Sequence, residues 1–389
     1  MILAETWLVI FYLLTGIPIA LFLFYGIVVV YYGKKRQNVN ETDANNQAIN
    51  FQPFVSVVIP THNEETIIEK KIENLLSSSY PHNKMEFVFA DDSNDSTPEI
   101  IRKSAEKFSN IRLLRFEQRM GYSPSMLAGC AAAKGEIIIL NDAASFLDPS
   151  TISTIVDRFR DSKIGVVTGK DVILNVNEEV GKSESLYQKL YNFLRIAETN
   201  MDSTFYIKGE AAGVRKAALA KLQASTETFD TTVGLAARRE GYKVIYDQNV
   251  SFHEFAPATH SGRIQQKTIR AAHLMRVLWR YKNMMFKRRF GKYGSLILPV
   301  NFALLTIVPV FVLFWFGSLI ALTLLDFGIA FYVWVVIGVA VLALLIFSKR
   351  LLSTFFEFEY SLLKAIYQIV FTRKVHDKID KVASTRRLQ

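Results

Sequence analysis

A single cysteine, Cys130, occurs in the 389 residues. No intrachain disulfide is possible, and the composition suits a reducing compartment. Cys130 sits among small residues and reads as a buried hydrophobe before it reads as a nucleophile. Charge is missing from three long stretches. Trp7 to Tyr32, Tyr293 to Leu325 and Phe327 to Ser348 contain no Asp, Glu, Lys or Arg. Each exceeds the roughly 20 apolar helical residues that cross a hydrocarbon core of about 30 Å. The first stretch is too long for a signal-peptide core and lacks a small-residue cleavage site. It ends in Gly33-Lys34-Lys35-Arg36, so it predicts an uncleaved anchor with its basic flank in the cytosol. No internal repeat is present.

What is abundant is positive charge, +10 net from 46 basic and 36 acidic residues. The excess flanks the apolar stretches, at Lys34-Lys35-Arg36, Arg276 to Lys292, Lys349-Arg350 and Arg373 to Arg387. That placement suits membrane lipids with anionic headgroups, and no nucleic-acid partner is expected.

The chain divides by composition. Residues 1–33 form the anchor and 34–53 a polar, aperiodic linker. The linker's Asn40-Glu41-Thr42 is a glycosylation sequon by pattern, left unused by a cytosolic placement. Across 54–261, strand and helix patterns alternate. "FVSVVIP", "MEFVFADD", "IRLLRF", "EIIIL", "STFYIK" and "YKVIY" read as strands. "EETIIEKKIENLL", "STPEIIRKSAEKF" and "SPSMLAGCAAAKG" read as helices, and a further helix is expected from Asp230 to Gly241. Such alternation predicts an α/β fold with a largely parallel sheet and helices on both faces. Residues 262–292 read as a basic amphipathic interfacial helix, with Leu274, Leu278 and Tyr281 on one face. Residues 293–348 hold two spans, the first kinked by Pro299 and Pro309, with Asp326 and Gly328 at the turn between them. In 349–389, an apolar segment carrying Glu357, Glu359 and Lys364 is expected to lie at the interface or re-enter. A further span would put the basic tail outside.

Ligands in such sheets bind at the carboxyl ends of strands. Pro60-Thr61-His62-Asn63-Glu64, Asp91-Asp92 and Asp142 all fall at such ends. The two adjacent acids would also serve as a helix N-cap pair. In "NDAAS", Asp142 has no second acid two residues on, where Ala144 stands.

The ordered set "VSVVIPTHNEE", "VFADDSNDST" and "GEIIILNDAASFLDP" resembles the family 2 glycosyltransferases, inverting enzymes of the GT-A, Rossmann-like mixed-sheet fold. The resemblance covers about residues 54 to 285 and extends to the flanking membrane layout. It implies a cytosolic domain on a multi-pass chain of the cell membrane, a UDP- or GDP-sugar donor, and Mn²⁺ or Mg²⁺. It places Pro60, Thr61, Glu64, Asp91 and Asp92 on the nucleoside, and Arg119 and Gly121 close to the donor. Arg119 reads equally as a solvated surface charge.

The same likeness puts metal and diphosphate at Asp142, where family members carry a second acid in place of Ala144. Mg²⁺ commonly takes one or two protein carboxylates and completes its shell with substrate phosphates. His253 is a candidate second ligand, with a structural histidine as the alternative. Asp230 matches the acid that deprotonates the acceptor hydroxyl, and Phe229 replaces the acid that precedes it in relatives. Gly209 and Glu210 fall where relatives shape the acceptor pocket. Lys267 and Arg270 would clamp the leaving diphosphate; headgroup contact is their alternative role. Processive relatives carry a tryptophan after Gln-x-x-Arg that is missing here. The expected function is transfer of one monosaccharide to a lipid-linked or glycan acceptor in surface-glycan, exopolysaccharide or glycolipid synthesis. Its rivals are a processive polysaccharide synthase, a catalytically inactive nucleotide-sugar-binding scaffold and, least suited, a transporter.

Overall fold

The computed structural model describes residues 2–35, 51–220, 222, 229–257 and 259–372. Most of the linker, the sequon and the basic tail from Arg373 lie outside the described residues. An apolar helix, α1 (Ile2–Gly33), precedes β1 (Val55–Thr61), α2 (Ile68–Leu76), β2 (Met85–Asp91), α3 (Thr97–Lys107) and β3 (Ile111–Arg115). There follow α4 (Tyr122–Ala132), β4 (Ile137–Leu140), β5 (Phe146–Leu147), α5 (Thr151–Arg158), β6 (Ile164–Ile173) and α6 (Glu179–Met201). Then come β7 (Ala212–Arg215), α7 (Phe229–Arg239), β8 (Lys243–Glu254) and α8 (His260–Tyr281). The chain ends its described part in α9 (Leu298–Phe302), α10 (Val308–Leu325) and α11 (Phe327–Tyr367).

The strands build one sheet in the order β3-β2-β1-β4-β7-β6-β8-β5. β1, β2, β3 and β4 run parallel, while β7 is antiparallel to both β4 and β6. The sheet is therefore mixed. β1 and β4 are buried at every position, which is why both read as unbroken apolar runs. Ile68, Ile72, Ile101 and Ile152 cover one face, and Met126, Cys130, Val233 and Ala237 the other. Each fully buried aliphatic side chain contributes about 1.5–3 kcal/mol by leaving water. Burial pushes the Cys130 thiol up to about 12, so it is unreactive.

Two expected boundaries move. Ser203 to Lys208 is not a strand, because side chains take up its backbone donors. Phe205 N donates to Glu198 Oε2 at 2.9 Å and Lys208 N to Thr168 Oγ1 at 3.0 Å. The helix after Leu325 does not stop at Lys349-Arg350. α11 runs 41 residues, because no glycine or proline occurs between Gly338 and its end. Its second half packs along α8, with Leu362 buried against the cluster around Leu274 and Leu278.

Glu5–Gly33 and Tyr293–Leu325 are long and apolar enough to cross a membrane. The second is helical throughout, and a π-helical turn stands just ahead of each proline, at Tyr293–Ile297 and Ala303–Ile307. The wider turn accommodates a ring that offers no N–H to the ladder. α1 docks on the sheet domain. Glu198 of α6 accepts from Tyr25 Oη at 3.0 Å and from Asn301 Nδ2 at 2.9 Å. Asn200 Nδ2 donates to the carbonyls of Tyr32 and Lys35.

Candidate active site

β1 and β2 end side by side, and their terminal residues organise the first loops. Asp91 is fully buried. It pairs with Arg115 at 2.6 Å and accepts from Thr61 Oγ1 at 2.8 Å and Ser93 Oγ at 2.5 Å. Asp92 accepts from the backbone N–H groups of Met120 and Gly121 at 2.7 and 3.0 Å, and meets His62 Nδ1 at 2.9 Å. Gly121 has φ +86°, which glycine adopts without steric cost as the chain turns into α4. Neither acid caps α3; Asp95 accepts from Thr97 N instead. The pair ties the 61–64 loop to the segment carrying Arg119, which is exposed.

β4 runs into the 141–145 loop, held from below by Lys71 of α2. Its buried ammonium donates to Asn141 Oδ1 and to the carbonyl of Ser145. Burial pulls it down to about 7, with Asp142 opposing. Asn141 Nδ2 in turn donates to Ser145 Oγ and to the carbonyl of Glu210. Asp142 is thereby placed on the wall of a cavity, beside Ala144. Tyr122 of α4 donates from Oη to Asp142 Oδ1 at 2.7 Å.

Asp230, in the first turn of α7, accepts from Gly209 N at 3.2 Å and from Thr231 N at 2.7 Å. A side chain at position 209 would meet Asp230 Cβ at 3.1 Å and Tyr122 Oη at 3.4 Å, so these groups pack closely around the glycine. Burial, then the neighbouring Glu210 carboxylate, push Asp230 up to about 7. Glu210 pairs with Arg270 of α8 at 3.0 Å. Burial raises Glu210, but Lys208 and Arg270 outweigh it and hold the carboxyl below its usual range.

The cavity has a volume of about 210 Å³. Its polar end carries Pro60, Glu64, Asp142, Glu210 and Arg270, and its other end Leu274, Leu305, Phe358 and Leu362. Between them stand Lys208, paired with Asp171 at 3.0 Å, and Lys267, 3.7 Å from Glu184. Arg263 is buried and bridges Glu184 of α6 to Glu357 of α11. Arg263, Lys267 and Arg270 thus face inward, toward the cavity, and not outward from the helix.

His253 does not line this cavity; it pairs with Asp148 at 2.8 Å. Side chains alternate along β8, and it is the next residue, Glu254, that reaches the cavity. Among the described residues no three His, Cys, Asp or Glu side chains form a metal cage. The fit is to a hard cation taking one carboxylate, Asp142, with the rest of its shell from a bound diphosphate and water. Ala144 leaves room there.

The sequence reading passed over α6, the source of Glu184, Tyr187, Gln188 and Tyr191. Tyr187 and Tyr191 stand four apart, as do Leu190 and Leu194. That spacing is a helical signal. It also passed over Tyr122, Lys71 and Lys208, whose partners are remote in sequence.

A mixed sheet with acids at strand ends beside a polar cavity defines the GT-A class of fold. Residues 56–222 match the model of the glycosyl transferase family 2, and the chain carries a domain of that family. Over 171 residues it is 28% identical to a beta-monoglucosyldiacylglycerol synthase of Trichormus variabilis, covering 43% of this chain and 36% of that one. Over 99 residues it is 34% identical to a dolichyl-phosphate beta-glucosyltransferase of Trichomonas vaginalis, covering 24% of this chain and 30% of that one. The matched stretches thus span about a third of these relatives. A mannosyltransferase from Pyrobaculum calidifontis, solved in complex with GDP-Man and Mn²⁺, shares the fold with a TM-score of 0.77 at 22% identity, over 94% of this chain and 99% of that one.

Proposed function

We propose that the chain is a membrane-bound, inverting hexosyltransferase that moves one sugar from a UDP- or GDP-sugar to a lipid-linked acceptor. The observation that carries this reading is one cavity with two ends. Asp142, Glu210 and Arg270 line the polar end, with Asp230 just behind it, bonded to Gly209 N and next to the Glu210 carboxylate, and helices continuous with the apolar segments wall the other. The family 2 domain and the lipid-named relatives support it. In this reading residues 1–33 and 293–348 span the bilayer of the cell membrane, and the 54–261 domain lies in the cytosol.

The chemistry follows from the placements. Pro60 and Glu64 face the donor, and Arg270 offers its guanidinium to the leaving diphosphate. Asp142 would hold a Mn²⁺ or Mg²⁺ ion, which would add to the neutralisation of that leaving group. Tyr122 holds Asp142 in one orientation. Asp230, raised toward neutrality, takes the acceptor hydroxyl proton while the oxygen attacks the anomeric carbon from the face opposite the nucleotide. The backbone N–H of Gly209 fixes the base. A processive synthase is less well supported: α8 offers Trp279 alone, and that ring is 61% exposed.

The test is a donor panel. Membranes carrying the chain or its Asp230→Asn form are incubated with UDP- and GDP-sugars and Mn²⁺, Mg²⁺ or EDTA. Metal-dependent label in the lipid extract, absent in the variant, is the expected result. Label in polymer would favour the synthase, and donor binding with no turnover the inactive scaffold.

A further inference from the structure

The middle of the cavity has a chemistry of its own. Tyr187 and Tyr191 of α6 and Tyr206 line it together. The first two rings lie 4.6 Å apart, and Tyr206 meets Tyr191 edge-on at 5.8 Å. Two buried polar atoms in this wall, Gln188 Oε1 and Arg263 Nη2, have no hydrogen-bond partner; Lys267 Nζ has no hydrogen bond either, but lies 3.7 Å from Glu184 and 3.9 Å from the centre of the Tyr187 ring. Gln188 is 4% exposed and Arg263 1%. Gln188 Oε1 is an acceptor, and Arg263 Nη2 and Lys267 Nζ are donors. Leaving such groups unpaired in a folded interior is costly, so a ligand that pairs them is favoured.

That ligand must donate as well as accept. A phosphate dianion only accepts, and its oxygens would face Gln188 Oε1 with nothing to give. Charge argues the same way. Arg263 is already matched by Glu184 and Glu357, Lys267 by Glu184, and Lys208 by Asp171. No cationic surplus is left to hold an anion at the centre. A lipid phosphate is also largely ionised at neutral pH and has no need of a base at Asp230. A hydroxyl does need one. Aromatic rings for an apolar C–H face, with a donor and an acceptor beside them, match a neutral pyranose.

We infer that the acceptor is a sugar hydroxyl on a neutral glycolipid. Its pyranose rests among Tyr187, Tyr191 and Tyr206, its hydroxyls pair with Gln188 and Lys267, and its lipid runs to Leu274 and Phe358. Lys267 then serves the acceptor, leaving Arg270 to the diphosphate. The inference rests on the transferase reading above. Asp230 takes the proton of the attacking hydroxyl, a C–O bond forms at the anomeric carbon, and the bond to the nucleotide diphosphate breaks.

The full chain in nanodiscs is titrated with hexyl glucoside, galactoside or mannoside, and with hexyl phosphate, under saturation-transfer NMR. Nucleotide-sugar binding is measured on the same sample. The expected result is saturation of the pyranose protons of at least one glycoside, with affinity falling roughly tenfold in Tyr187→Ala and in the volume-conserving Gln188→Met. Nucleotide-sugar binding should persist in both variants. Preference for hexyl phosphate overturns the inference. So does failure of all three glycosides, or binding indifferent to both substitutions. Absence of nucleotide-sugar binding would sink the transferase reading instead, and the glycoside result would still decide the sugar site.

Discussion

Tyr122 Oη stands between two carboxylates, donating to Asp142 Oδ1 at 2.7 Å and lying against the backbone of Gly209, which anchors Asp230. Burial and the charges of Asp142, Asp230 and Glu210 hold the phenol protonated. The hydroxyl therefore acts as a donor that fixes the orientation of Asp142. Tyr122→Phe should weaken Mn²⁺ binding to the donor-loaded protein by about tenfold, the usual penalty for losing a partner of a metal ligand. Electron paramagnetic resonance of bound Mn²⁺ reads this directly. An unchanged affinity would remove Tyr122 from the site.

Asp230 sets the acid limb of the rate. Its folded pKa of about 7 means that the base form grows about tenfold per pH unit below that value and saturates above it. Asp230→Asn should cost about 10²–10⁴ in turnover and spare donor binding. The stability effect has a definite sign. The folded state holds this proton more tightly than the unfolded chain, whose Asp titrates near 3.9. Stability from this group therefore declines as pH rises from about 4 through 7. The Asn variant should gain thermal stability relative to the parent across that window. Parallel melting curves from pH 5 to 8 would reject the raised value.

Lys71 is a test of the 141–145 loop. Removing it leaves Asn141 Oδ1 and the Ser145 carbonyl short of a donor in the interior. Lys71→Met should cost about 1–3 kcal/mol of stability and loosen the loop that carries Asp142. Donor affinity should fall with it. Chemical denaturation and donor titration together check both; a stable variant with intact donor affinity contradicts the role.

Arg263 joins three helices, through Glu184 on α6 and Glu357 on α11. Breaking a buried pair from one side costs about 3–5 kcal/mol, because the partner charge stays behind. Arg263→Met should therefore lower the melting temperature more than the triple replacement Arg263→Met, Glu184→Gln, Glu357→Gln. Equal losses would mean that the carboxylates find other partners.

The sheet's parallel half was legible because each strand is a local signal. "VSVVIP" and "EIIIL" are apolar at every position, and buried parallel strands must be. β5 was not legible: two residues, Phe146 and Leu147, become a strand only because Phe252 and His253 lie beside them. The antiparallel insertion of β7 is equally hidden, since its four residues pair with β4 and β6. Asp142 and Asp230 stood out as acids at element ends. Tyr122 and Lys71 did not, because a phenol or an ammonium gains meaning from groups 20 and 70 residues away. That the helix runs on past Ser348 was not legible, because Lys349-Arg350 suggested a break where the backbone has no breaker.

Glu198 ties three parts of the chain together. Tyr25 on the first apolar helix, Asn301 on the later one, and the backbone of Phe205 in the sheet domain all donate to this one buried carboxylate. The domain is thus bolted to its apolar helices and does not hang from a tether. The candidate site therefore keeps one standoff from those helices. Under the proposed function, such a scaffold would work as a gauge, discriminating acceptors by how far their reactive oxygen protrudes before any side chain inspects what they are.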